Sequence, residues 1–247
     1  MKINVLLSPQ NVDELYFTGK TSVIIDVLRA TTVISTALAN GAKEIIPVGS
    51  IDFAMKISGS AHGGHTLLCG ERNTKMIEGF DLGNSPLEYT REVVEGKSII
   101  FFTTNGSKSI VKAKFSEYLF TCSYNNIISV AKHLAQLDKD VEILCAGSNG
   151  MFCIEDTACA GRLVNEVMKI KSDVEVSDAA RASMVISKEF GSDVTEMLKD
   201  CEHGKLLIEN SFISDIEICG QVDIADIVPT FFNNVIKPFQ LVADQMS

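Results

Sequence analysis

Short runs of β-branched and apolar residues recur along this chain, each followed by a polar or glycine-bearing loop and then by apolar positions at helical spacing. In SVIIDVLRATTVISTALANGA, residues 23–27 have the character of a buried strand, with Asp26 and Arg29 at its end. Residues 33–39 then read as a helix stopped by Asn40-Gly41, with Thr31 or Thr32 as the expected N-cap. The same unit predicts strands over 98–102, 118–122 and 141–145. These lead into helices from Ser107, from a cap near Asn125 to about Leu137, and after Gly147-Ser148-Asn149-Gly150. Further strands are predicted over 44–48 and 66–69. Residues 77–86, IEGFDLGNSP, read as an ordered loop ending in a helix start, with Ser85 as N-cap, Pro86 in the first turn and Glu88 closing a capping box. Toward the C-terminus a helix from Asp193 and strand-like pieces near 215–219 and 225–228 are expected.

Strands alternating with helices predict a three-layer α/β fold, with a mostly parallel or mixed sheet and helices on both faces. No linker or repeat divides residues 1–247, so a single catalytic domain is expected. Ligands of such sheets bind beyond the carboxyl ends of the strands. The predicted strands deliver Asp26, Arg29, Thr31 and Thr32 there; then Glu71 and Arg72; then Thr103, Thr104, Asn105 and Gly106; then Asn125; and last Gly147, Ser148, Asn149, Glu155 and Asp156. Carboxylates suit Mg²⁺, a hard cation that keeps several waters. Thr-Thr-Asn-Gly ahead of a helix offers backbone N–H groups and hydroxyls to a phosphate, and arginine clamps oxyanions in bidentate fashion. Each piece also has a purely structural reading. Threonines cap helices, Glu71-Arg72 makes a local ion pair, and acids at a helix start complement its dipole. Their gathering at successive strand ends favours function.

A composition of 46% hydrophobic and 22% charged residues is that of a globular protein. Thirty-two acids against 22 bases, a net charge of −10, argue against nucleic acid or an anionic membrane as partner. They also mean that a site for an anionic substrate must bring its own positive potential. No apolar run reaches the ~20 residues of a membrane span. The first residues, MKINVLLSPQ, lack the features of a secretory signal. Seven cysteines without a Cys-x-x-Cys motif point to core thiols in a reducing cytoplasm. His62 and His65, in AHGGH, read as plain surface loop. The chain has no Gly-x-Gly-x-x-Gly, no Walker loop, no Cys-x5-Arg, no second acid after Asp26 in an Asp-x-Asp pattern, and no Gly-x-Ser-x-Gly.

At IDVLRATT (25–32), GER (70–72), GFDLGNSP (79–86), TTNG (103–106), CAG (145–147) and ED (155–156) the sequence resembles the 2-phosphosulfolactate phosphatase family. The likeness runs from near the N-terminus to about Pro229 and is loose over 172–215, where Asp178-Ala179-Ala180 is the best anchor. The resemblance implies an α/β fold unlike the common phosphatase folds. It also implies a Mg²⁺-dependent hydrolase that turns 2-phosphosulfolactate into 3-sulfolactate and phosphate, a step associated with coenzyme M biosynthesis. On that footing Asp26 and Glu71 are expected to hold Mg²⁺, with Asp81 or Asp156 contributing. Arg29 and residues 103–106 would grip the phosphoryl oxygens, and Arg72 would meet the sulfonate or carboxylate end. Glu155 or Asp156 would orient the attacking water, and Asn84 and Ser85 would close a mobile loop over the site. Asp26 is the nucleophile if a phospho-enzyme forms. The alternatives are a phosphosugar isomerase or lyase on the same scaffold and a non-catalytic sensor of phosphorylated ligands. A homo-oligomer is expected on general frequency.

Overall fold

The computed structural model describes residues 1–59, 65–190 and 193–243. Among these described residues eleven strands form one sheet: β1 (Lys2–Leu6), β2 (Thr21–Ile25), β3 (Glu44–Pro47), β4 (Thr66–Arg72), β5 (Lys75–Met76), β6 (Ser98–Phe102), β7 (Tyr118–Cys122), β8 (Val141–Cys145), β9 (Glu175–Val176), β10 (Pro229–Phe232) and β11 (Val235–Pro238). Their order is β5-β4-β6-β3-β11-β10-β7-β2-β8-β1-β9. Two parallel blocks are present, β4-β6-β3 and β7-β2-β8-β1-β9. The antiparallel hairpin β10-β11 joins them, pairing Thr230 with Phe120 on one side and Ile236 with Ile45 on the other. The mixed sheet agrees with the sequence expectation.

Strand β2 shows why the sheet forms where it does. All five of its residues are buried, as expected for a central parallel strand covered on both faces. Val23 and Ile25 point into one apolar core and Ile24 into the other. The first core lies under α5 (Ile127–Leu137), α6 (Ile154–Ile170) and α7 (Asp178–Glu189); the second lies under α1 (Ala30–Ala39) and α4 (Gly106–Lys112). A smaller core sits beneath α2 (Ile51–Ser58). Helix α5 buries Ile127, Val130, Ala131 and Leu134, a stripe at helical spacing. The remaining helices are α3 (Arg91–Val94), α8 (Val194–Asp200), α9 (Glu202–Glu209) and α10 (Ile213–Cys219). All seven cysteines are buried free thiols, as their apolar neighbours suggested. Among the described residues no helix is long and apolar enough to cross a membrane. His65 is exposed, and His62 lies outside the described residues.

Several local expectations give way. Helix α1 starts at Ala30, and its N-cap position is Arg29, which makes no side-chain cap bond. The Thr31 hydroxyl instead donates to the Asp26 carbonyl (2.8 Å) and that of Thr32 to the Val27 carbonyl (2.9 Å). The turn from β2 into α1 is too tight for threonine to cap it from outside. Ser85 precedes a short 3₁₀ turn, Pro86–Glu88, and makes no cap bond; its hydroxyl donates to Asp215, while Glu88 accepts from the Gly83 N–H. Residues 213–219 are helical rather than strand-like, and their buried positions Asp215, Ile216 and Cys219 share a helix face. Residues 225–228 have no regular structure, the strand lying just beyond at β10. Short apolar runs of this kind carry no decisive period.

Candidate active site

A cleft of about 160 Å³ opens where the carboxyl ends of the two parallel blocks meet. Asp26, Leu28 and Arg29 reach it from the end of β2, and Glu71, Asn73 and Thr74 from the tip of β4. Thr103, Thr104 and Asn105 come from the β6–α4 turn, and Asn84 from the GFDLGNSP segment. Ser148 and Asn149 follow β8, and His203 comes from the first turn of α9. The blocks touch here although four strands separate β6 from β2 in the sheet order, so the sheet curls strongly. The Asn149 N–H donates to Asn105 Oδ1 across the join (3.0 Å), and Arg29 donates to the Thr74 carbonyl (2.7 Å). Gly106 is the point of closest approach. A Cβ there would run into the side chain of Ala30 and lie 2.6 Å from Asp26 Oδ2. Only glycine lets the two blocks close.

Asp26 is buried, and its Oδ1 accepts the N–H of Ala30 (3.2 Å). Burial lifts its carboxyl from 3.8 to about 6. The His203 ring and the Ala30 N–H pull it back, while the carboxylates of Glu71 and Glu155 push further up. Glu71 is held by two backbone donors, Thr74 N–H on Oε2 (2.9 Å) and Thr104 N–H on Oε1 (2.7 Å). His203 Nδ1 stands 3.7 Å from Glu155 Oε1. Burial raises the Glu155 carboxyl, but the facing imidazole outweighs it and holds the group below its ordinary range. That contact leaves Nε2 at the other end of the His203 ring.

Hard oxygen donors dominate this cleft: the carboxylates of Asp26 and Glu71, and Asn84 Oδ1, a buried acceptor with no donor among the described residues. Among the described residues, no three His, Cys, Asp or Glu side chains are close enough to enclose a metal. The set therefore fits Mg²⁺ in its usual mode, held by one or two carboxylates and waters together with substrate phosphate, and not a closed all-protein cage.

Other expected residues lie elsewhere or are already engaged. Asp156 is fully buried off the cleft; its oxygens accept the N–H groups of Val27 and Gly147 (both 2.9 Å), which ties the end of β2 to the end of β8. Burial, with Asp26 and Glu155 nearby, keeps its carboxyl well above the normal range. Asp81 is exposed and accepts the N–H of Leu68 (2.8 Å), part-way down β4. Arg72 is exposed on the β4–β5 hairpin and outside the cleft walls. Strand alternation turns it away from the side that Glu71 occupies. Arg29 lines the cleft but is 1% exposed, ion-paired to Asp215 and stacked on the Phe212 ring at 4.3 Å. Asn125 donates to the carbonyls of Ile218 and Gln221 and serves the end of α10. The Thr103 hydroxyl accepts the Ser107 N–H (2.9 Å). Ser85 donates to Asp215 Oδ1 (2.6 Å), and the loop around it is pinned by Tyr89, whose hydroxyl donates to the Gly83 carbonyl. His203 and Asp215 were not anticipated. For His203 a faint signal exists: the chain has four histidines, and this one stands in a helix start, CEHGK.

The profile of the family described as 2-phosphosulpholactate phosphatase matches residues 6–234. A protein of Caldanaerobacter subterraneus subsp. tengcongensis named probable 2-phosphosulfolactate phosphatase is 41% identical over 221 residues, 90% of this chain and 91% of the relative. Proteins of the same name from Clostridium perfringens and Clostridium acetobutylicum are each 38% identical. Both alignments cover 96% of this chain, with 96% and 100% of the respective relative. Similarity of this extent reaches every segment that lines the cleft, and the chain belongs to the 2-phosphosulpholactate phosphatase family.

Proposed function

We propose that the chain is a Mg²⁺-dependent phosphoric monoester hydrolase that converts 2-phosphosulfolactate to 3-sulfolactate and phosphate, a coenzyme M biosynthesis-type step in a reducing cytoplasm. The observation that carries the reading is the convergence of Asp26, Glu71, Asn84 and His203 on one cleft at the joined carboxyl ends of the two blocks, in a chain of this family. Asp26 and Glu71, with Asn84 Oδ1, are the groups to hold Mg²⁺. The bound ion supplies charge neutralisation at the phosphoryl oxygens.

The protein's own part begins with orientation. Backbone donors fix Glu71, and Ala30 fixes Asp26, so neither carboxylate must reorganise as charge develops. As water forms its bond to phosphorus, the ester P–O bond breaks and the departing oxygen needs a proton. His203, steadied by Glu155 at Nδ1, gives it from Nε2 and is recharged by the proton that the water loses. Replacing His203 with glutamine is expected to lower kcat on 2-phosphosulfolactate by about 10²–10⁴-fold. The loss should be much smaller on p-nitrophenyl phosphate, whose leaving group departs unprotonated. Equal losses on both substrates would remove the proton-donor role.

The deciding assay is phosphate release from 2-phosphosulfolactate. Release should require Mg²⁺, fall at least about a hundredfold with EDTA, and return when Mg²⁺ is restored in excess. Absence of phosphate release with Mg²⁺ present overturns the reading.

A further inference from the structure

The proposed substrate is anionic on its phosphoryl, carboxylate and sulfonate groups alike, yet the cleft is lined by acids and its one arginine is already paired. A cation absorbs the charge at the phosphoryl end, and a carboxylate can share that cation. A sulfonate is too weak a ligand to do so and needs a separate partner. On the far side of Thr104, Asn105 and Asn149 lies a second cavity of about 340 Å³, sharing those three residues with the cleft. Its walls carry Lys108 and Lys112 and no carboxylate, in a chain of net charge −10. The Lys112 ammonium is fixed by the carbonyls of Pro9 and Val12, both at 2.9 Å, which hold the charge in place without neutralising it. Lys108 lies in the first turn of α4, three residues on from its N-cap Asn105. It is exposed, its ammonium is 5.7 Å from the Phe102 ring centroid, and among the described residues no carboxylate forms an ion pair with it. Between the cavities the Thr104 hydroxyl is buried with no hydrogen-bond partner among the described residues.

We propose that this lysine-lined cavity receives the sulfonate of the substrate, with Lys108 as its counter-ion and the Thr104 hydroxyl as a neutral donor. The inference rests on the substrate proposed above and extends it. The site is divided by charge: a carboxylate-rich compartment takes the metal and the phosphoryl group, and a carboxylate-free one takes the weakly coordinating anion. Lys108 is thus a specificity residue in place of Arg72, which lies on the wall of neither cavity.

The test is calorimetric binding of 3-sulfolactate and of lactate, which lacks the sulfonate, to the full chain in the presence of Mg²⁺. The wild-type chain is expected to prefer 3-sulfolactate by about tenfold or more. Lys108→Ala should erase most of that preference and Lys108→Arg should keep it. Circular dichroism checks that each variant is folded, and an exposed position makes that the expected outcome. A wild-type chain that binds both acids alike, or a preference unchanged in Lys108→Ala, overturns the proposal. Because the readout is binding, absence of phosphate release in the earlier assay would sink the activity and leave this assignment to be judged separately.

Discussion

Replacing Asp26 with asparagine is expected to cut phosphate release from 2-phosphosulfolactate by about a thousandfold or more, and to make the protein harder to unfold at pH 7. The first effect follows from removing the most buried charge among the proposed metal-holding groups. The second follows from the cost of keeping that charge without its cation. Asp26 carries a carboxyl raised from 3.8 to about 6, first by burial and further by Glu71 and Glu155. A carboxyl that holds its proton more tightly in the folded state favours folding at low pH, and the advantage is lost as pH rises through about 6. Relative to the wild type, Asp26→Asn should therefore gain nothing below about pH 4, gain progressively to about pH 6, and level off at about 3 kcal/mol. Urea unfolding across that range, without metal, measures it. Added Mg²⁺ should stabilise the wild type and leave Asp26→Asn nearly unmoved. A variant that is no more stable at pH 7 than at pH 4, relative to wild type, would show that Asp26 is not under electrostatic stress.

Arg29→Met is expected to destabilise the fold by about 3–5 kcal/mol, because it strands Asp215 as a charge inside the protein. Arg29 and Asp215 are 1% and 2% exposed, and after the substitution the described donor to Asp215 is the hydroxyl of Ser85. The same change removes the donor to the Thr74 carbonyl, whose own N–H helps hold Glu71. Turnover should fall even below the unfolding temperature. Pairing Arg29→Met with Asp215→Leu should return most of the stability, since two apolar groups of similar bulk no longer demand solvation, yet turnover should stay low. Unfolding midpoints and initial rates on the two single variants and the double variant separate these effects. A cost below about 1 kcal/mol for Arg29→Met would mean that water reaches Asp215 and that the pair is not what holds the loop.

How far the sequence foretold this depends on how local each cause is. Strands β6, β7 and β8 fall where their β-branched and aromatic runs put them, because a doubly covered strand writes its burial into consecutive residues. Asp26, Glu71 and Thr103 to Asn105 were legible for a related reason: the carboxyl end of a parallel strand is a place that local pattern can locate. Arg29 was located too, but its engagement was not. Its partner stands 186 residues further on, in a segment that read as strand-like and folds as the helix α10. Asp81 and Asp156 look like ligands in one dimension and are used to hold backbone N–H groups in three. His203 comes from the α8–α10 region, where the family likeness is loose, and only the tertiary fold brings it to the cleft that Asp26 lines.

The hairpin β10-β11 makes the continuity of the sheet depend on ten residues. One block contributes Asp26 and Asn149 and the other Glu71 and Asn105, and the strands that stitch the blocks side by side, residues 229–238, follow every strand of both blocks in chain order. Until they pair, the inner edges of β7 and β3 lack their hydrogen-bonding partners. A chain cut short before this hairpin would leave both edges bare and prone to pair with other chains.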